Sequence, residues 1–266
     1  MTDANLPGAR PAAGGNTPRR GRLRRTLLIG GLSVLGLLVV SNLVMVALFK
    51  SYYIPATSMS PVLRVGDYAI APRWSYGLNP HVVPWVLSGL EHRPGARPER
   101  GDIAVFLHPR ESGTYYVKRV IGLPGDEIRV AGGVVHINGT AVPKVPAGNF
   151  AGADPGGNPA RFPCFLETLP NGVRYLVLDS DPQGPLDDMP AQKVPDGRYF
   201  VMGDNRDNSV DSRIPPERAG VGLVPLENFA ARASWLLANE EGEHARSGPL
   251  GTEPDLAACQ PSPGID

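Results

Sequence analysis

TYYVKRVIGLPGD, residues 114–126, reads as one β-strand with a stop at its end. β-Branched and aromatic side chains fill it, and Leu123-Pro124-Gly125 closes it with a turn signal. Side chains alternate across a strand, so Tyr116, Lys118 and Val120 share one face and Val117, Arg119 and Ile121 the other. The same grammar recurs downstream. Gly132-Gly133 separates EIRV from VVHI, Asn138-Gly139 separates VVHI from TAV, and Asn171-Gly172 separates CFLETL from VRYLVLD. Each is a hairpin-type turn between β-formers. With 32 glycines and 29 prolines in 266 residues the chain is turn-rich, which favours a mainly β fold of antiparallel sheets over a helix bundle. Residues 147–163, AGNFAGADPGGNPARFP, read as a long mobile loop inside that domain.

One segment breaks the β pattern. TLLIGGLSVLGLLVVSNLVMVALF, residues 26–49, carries no charge. As a helix it would reach roughly 36 Å, enough to cross a hydrocarbon core of about 30 Å. Arg19, Arg20, Arg22, Arg24 and Arg25 precede it and only Lys50 follows at once, so the N-terminus is expected in the cytoplasm and everything from Lys50 onward outside. A removable secretory signal is the competing reading. The run is far longer than a signal's apolar segment, and KSYYIPATS offers no convincing cleavage pair, so a retained single-pass anchor is favoured. Residues 1–25 then form a disordered basic cytoplasmic tail, 26–49 the anchor, 50–238 an extracytoplasmic domain, and 239–266 a flexible C-terminal extension. RWSYGLNPHVVPWVLSGL, 73–90, places Trp74, Tyr76 and Trp85 among apolar residues, a composition suited to the bilayer interface or, on the alternative reading, to a buried satellite core.

The formal net charge is zero, so no overall electrostatic attraction to nucleic acid is expected. Five scattered histidines and no CxxC give no pattern for zinc or for a thiol nucleophile, and no metal or cofactor is expected. Cys164 and Cys259 both fall in the extracytoplasmic part, where a disulfide persists; their spacing leaves the pairing open.

IPATSMSPVLRVGD, 54–67, presents Ser58 just after the anchor. A hydroxyl needs a base within hydrogen-bond reach to become a nucleophile. Burial can make a lysine that base, because desolvation disfavours the ammonium form. The chain has four lysines. Lys50 abuts the apolar run and Lys144 and Lys193 lie beside prolines in turn-like surroundings, whereas Lys118 sits inside the strand described above. Taken alone, Lys118 reads more readily as a strand lysine reaching for water. GDNRDNSVDSR, 203–213, changes the balance: Asp204, Asp207 and Asp211 can pair with Arg206, Arg213 and Arg119 to lock a loop, while a loop hydroxyl orients the amine.

Four stretches in this order, IPATSMSPVLRVGD, RGDIAVF (100–106), YYVKRVIGLPGD (115–126) and GDNRDNSVDSR, resemble the type I signal peptidases, membrane-anchored serine proteases with a Ser/Lys dyad. The resemblance spans roughly residues 27–238. It implies Ser58 as nucleophile, Lys118 as general base, Ser209 as the serine that bonds the lysine, and Asp204, Asp211, Arg119 and Arg213 as the charged braces. It implies an antiparallel β catalytic core with a second β subdomain inserted, here about residues 127–198. Substrates would be translocated precursors with small residues at the first and third positions before the cut. Ile54, Pro55, Ala56, Met59, Leu63, Tyr116 and Val117 would line shallow apolar pockets, with Val105 and Tyr52 bounding the deeper one. The setting would be the inner (cytoplasmic) membrane with the catalytic domain on the periplasmic or extracytoplasmic side; a monomer is expected, touching the lipid bilayer and precursors but no nucleic acid.

One position departs from the pattern. Many members from double-membraned bacteria carry a serine two residues before the nucleophile as an oxyanion donor, and here that residue is Ala56. Losing such a donor costs on the order of a hundred to a thousand fold in rate, so Thr57 or a backbone amide must substitute, or the enzyme is slow. Ser60, held before Pro61, reads as structural. Three alternatives remain beside the signal peptidase reading: a specialised Ser/Lys maturation peptidase of a secretion or conjugation system, a non-catalytic membrane-anchored relative, and a Ser/His/Asp hydrolase.

Overall fold

The computed structural model describes residues 19–78, 93–111, 113–153, 158–237, 246–251 and 253–260. It divides into two units, Met1–Val46 and Ala47–Asp266. The described part of the first is a helix, Arg19–Leu48, whose last two residues belong to the second unit. Its Arg24–Leu48 portion is long and apolar enough to cross a membrane, with mean hydropathy 2.3. Leucines and valines are exposed on every side of it, as suits an apolar solvent rather than water.

The second unit is built of antiparallel sheets. A five-stranded sheet runs Val224–Pro225, Arg198–Met202, Tyr115–Gly122, Ile103–Leu107, Phe229–Arg232. Apart from Lys118, Arg119 and Arg198, its middle strands are largely apolar on both faces because both faces are covered. Val120, Phe106, Val201 and Phe229 enter one cluster, Val105 and Ile103 a second, and Ile121, Phe200 and Met202 a third. A four-stranded sheet, Phe49–Tyr53, Tyr68–Pro72, Trp235–Leu237 and Gly248–Pro249, packs Tyr52, Ala69, Ala71 and Leu236 into the cluster that also holds Val105. Its other face stays open: Tyr53, Trp235 and Leu237 are exposed, and Trp74, also exposed, meets Phe49 edge-on at 5.4 Å between ring centres.

Two further sheets come from residues 127 to 193. One pairs Met189–Lys193, Glu127–Ala131, Val134–Ile137 and Thr140–Ala141. Its two tight turns are at Gly132-Gly133 (φ 53° and 70°) and Asn138-Gly139 (φ 53° and 79°), where both central residues take the left-handed backbone that matches strand twist. The other sheet pairs Arg174–Leu178, Pro159–Thr168 and Lys144–Ala153, with Cys259–Gln260 at its edge.

That last sheet corrects two expectations. The stretch 147–163 is not a loop over most of its length: 148–153 and 159–163 are paired strand, within Lys144–Ala153 and Pro159–Thr168, with Phe150 opposite Phe162 and a bulge at Ala147. Backbone ladder bonds and an aromatic cross-strand pair hold it, which small residues and glycines do not advertise. The C-terminal extension is also pinned in part. Gly248–Pro249 pairs with the Trp235–Leu237 strand, Cys259 forms a disulfide with Cys164 (Cα–Cα 6.1 Å), and Arg246 bonds Asp67 at 3.1 Å. Within 73–90, Tyr76 is not an interface residue: its ring packs on Phe229 and its hydroxyl donates to Asp102 at 2.8 Å. Trp85 lies outside the described residues.

Candidate active site

Lys118 stands opposite Ala104 in the five-stranded sheet, and the small partner leaves room for its long side chain. The residue is 4% exposed. Burial is the largest influence on its amine and pushes the pKa down; Asp211 and Asp204 pull the other way, Arg213 adds to the fall, and the result is about 8. Lys118 Nζ lies 2.6 Å from Ser58 Oγ. Ser58 sits in the short 3-10 turn Thr57–Met59, behind an extended Ala56, with Met59 buried as its anchor in the core. A first-turn amide has no partner within its own helix, and Ser58 lies in such a turn.

The 203–213 loop grips that turn directly. Asn205 donates its backbone N–H to Ser58 O at 3.1 Å, its side chain reaches Thr57 O at 3.3 Å, and Asn208 donates to Thr57 Oγ1 at 2.7 Å. Arg119, next to Lys118, forms a two-pronged pair with Asp204 at 2.8 and 2.7 Å and also donates to Gly101 O. Arg213 grips Asp211 through two bonds of 2.9 Å, while the Gly203 amide donates to the same carboxylate at 3.0 Å. Burial pushes the Asp211 carboxyl up, but Arg213 and that amide outweigh it and hold the group below the usual carboxylate range. These pairs are buried, and such pairs hold geometry well only when both partners are present.

Ser209 is buried and lines the same groove as Ser58 and Lys118, yet its hydroxyl makes no hydrogen bond to the lysine amine among the described residues. That expected contact is not made in this structure. Lys118 Nζ donates to Ser58 Oγ instead, and the Ser209 side chain lies close beside Gly203. The groove itself measures about 770 Å³. Ile54, Pro55, Ala56, Met59, Tyr116 and Val117 line it together with Tyr52. Leu63 and Val105 do not. Both have 0% exposure and fill the core behind the groove, packed with Ile54 and Met59, so they support its wall without reaching its surface. Ser60 Oγ points to Leu63 O within its own turn, in keeping with a structural part.

The sequence reading missed Glu167 and Tyr175. Arg206 in the loop is buried and donates to Glu167 Oε2 at 2.5 Å, and the same oxygen takes a bond of 2.5 Å from Tyr175. Arg119 stacks its guanidinium 4.2 Å from the Tyr175 ring centre. The available hint was an acidic residue, Glu167, directly after the apolar run 162–166. Of the histidines, His108 accepts from the Arg110 and Glu111 amides and His136 lies beside Val134 O; neither bonds Ser58. His81, His92 and His244 fall outside the described residues.

The family model described as signal peptidase, peptidase S26, matches residues 27–238. The chain belongs to that family. A signal peptidase I of Rickettsia bellii (strain OSU 85-389) is 34% identical over 210 residues, covering 74% of this chain and 68% of the relative. The signal peptidase I of Rickettsia prowazekii (strain Madrid E) is 34% identical over 209 residues, covering 74% and 75%. A crystal structure of a signal peptidase I from Enterococcus faecalis V583 shares 23% identity over 52% of this chain and 97% of that one, at a TM-score of 0.29. Membership in the signal peptidase family makes the chain a serine peptidase of signal-peptide processing, and its apolar N-terminal helix fits a membrane protein.

Proposed function

We propose that this signal peptidase cuts translocated precursors by attack of Ser58, with neutral Lys118 as general base. The observation that carries the reading is the 2.6 Å approach of a buried amine to that hydroxyl, with the amine's pKa brought down to about 8. A neutral amine takes the serine proton as the oxygen attacks the scissile carbonyl; the resulting ammonium gives it to the departing amine, and the mature segment leaves. Lys118, neutral again, draws a proton from water, which hydrolyses the acyl-enzyme. The Ser58 N–H stabilises the oxyanion, with no side-chain hydroxyl beside it at Ala56.

The acyl half of the substrate lies along Ile54, Pro55 and Ala56 on one side and Tyr116 and Val117 on the other, where shallow apolar walls favour small side chains. The arginine-rich N-terminus stays in the cytoplasm and the peptidase unit works on the outer side of the inner membrane as a monomer. The open face with Tyr53, Trp74, Trp235 and Leu237 is the surface that lies on lipid, since amphipathic aromatics favour the headgroup region. The deciding experiment compares the purified protein with Ser58→Ala and Lys118→Met on a precursor with alanine at both specificity positions. Processing by the native protein alone is expected; equal processing by all three would end this reading.

A further inference from the structure

The groove that holds Ser58 does not stop at the 203–213 loop. Leu186 and Ile214 line it at one end, and the same two side chains line a second cavity of about 930 Å³, so the two hollows meet across them. Met189, Pro195, Pro215 and Leu223 give the second cavity apolar walls. Arg198 and Arg218 line it too, both exposed and neither in an ion pair among the described residues, while Arg213 is already neutralised by Asp211. Asp188 is its single acidic side chain, so the free charge of the cavity is positive.

An extended peptide whose acyl half lies along Ile54, Pro55 and Ala56 would carry its other half past Ser58 into the rest of the groove, which Asp207, Asn208, Val210, Leu186 and Ile214 line. We infer that the second cavity receives the first residues of the leaving segment, the start of the mature protein, and that Arg198 and Arg218 favour an acidic side chain there. The inference rests on the Ser58 and Lys118 reading above. Binding energy gathered this far from the cut serves to hold the scissile bond in place, so it is expected in kcat/KM and not in KM alone.

The test uses full-length protein in detergent and peptides with one common acyl half. The leaving half is either two residues long or extended to eight, with aspartates or lysines in the extension. In parallel, a fluorescent acidic octapeptide matching the leaving half is titrated into the Ser58→Ala protein and followed by anisotropy. The acidic extension is expected to raise kcat/KM by about tenfold over the two-residue form and to beat the basic one. Arg198→Glu with Arg218→Glu should reverse that preference in hydrolysis and in binding, a ratio that survives partial loss of folded protein. Cleavage indifferent to extension and charge, with no octapeptide binding, overturns the inference while leaving the dyad intact. Charge-dependent octapeptide binding without any hydrolysis would instead keep the cavity's role and remove the dyad.

Discussion

Asn205 N–H and Ser58 O lie 3.1 Å apart, joining the Ser58 turn to a loop almost 150 residues later in the chain. Gly203 makes that approach possible. A β-carbon there would stand 2.5 Å from Ser58 O and closer still to Ser209 Oγ. Gly203→Ala is therefore expected to push the loop off the turn and lower kcat by at least about a hundredfold, the order of loss that a misplacement near 1 Å brings. Circular dichroism alongside the cleavage assay separates a displaced loop from an unfolded chain.

The amine of Lys118 gives a pH profile with a worked sign. Its pKa near 8 means that the neutral base is scarce below pH 8, so kcat/KM should rise with pH and level off above it, changing about tenfold per unit on the acid side. The folded pKa lies below the ordinary 10.5, so the unfolded chain holds the proton more tightly and burial costs stability below pH 8. The cost is about 3 kcal/mol and vanishes as pH climbs through 8 toward 10.5. Lys118→Met should thus be inactive yet melt at a higher temperature at pH 7, with the gain shrinking by pH 10.

Glu167 is 1% exposed and balances Arg206. Glu167→Ala leaves a buried guanidinium unpaired and is expected to cost about 3–5 kcal/mol in denaturant unfolding. Glu167→Gln keeps an acceptor for Tyr175 and Arg206 and should recover part of that loss. Since Arg206 follows Asn205, the surviving folded Gln variant is expected to show reduced kcat at nearly unchanged KM.

Ala56 offers a gain-of-function test. A serine hydroxyl at this position would face the oxyanion beside the Ser58 N–H, so Ala56→Ser should raise kcat about tenfold or more. An unchanged kcat would mean that Thr57 already fills the role.

Cys164–Cys259 closes a loop of 95 residues, for which the chain-entropy argument gives about 4–5 kcal/mol and measured bridges typically 2–4. Cys259→Ser should lower Tm and open residues 246–260 to limited proteolysis. Processing activity should persist, because Ser58 and Lys118 make no contact with that segment in the hydrogen bonds that hold them.

Local chemistry explains what the sequence made legible. The Lys118 strand and the Gly132-Gly133 and Asn138-Gly139 hairpins announce themselves within a few residues, through alternation and through turns that demand positive φ. The approach of Ser58 to Lys118 came from motif resemblance and chemical need, since nothing local brings residues 60 apart together. The hidden parts all depend on a distant partner. The stretch 148–153 becomes strand because Pro159–Thr168 and Cys259–Gln260 flank it. Glu167 acquires its meaning from Arg206, 39 residues on. Leu63 and Val105 look as apolar as Ile54 or Met59, and only packing decides which face the groove and which the core.

The Asn205 clasp on Ser58 also sets an order in time. A ribosome makes Ser58 long before it makes the loop that steadies it, so a half-finished chain carries that serine without its clasp and without the arginine–carboxylate braces. On the proposed reading, a chain that ends before residue 203 lacks what positions Ser58 against Lys118.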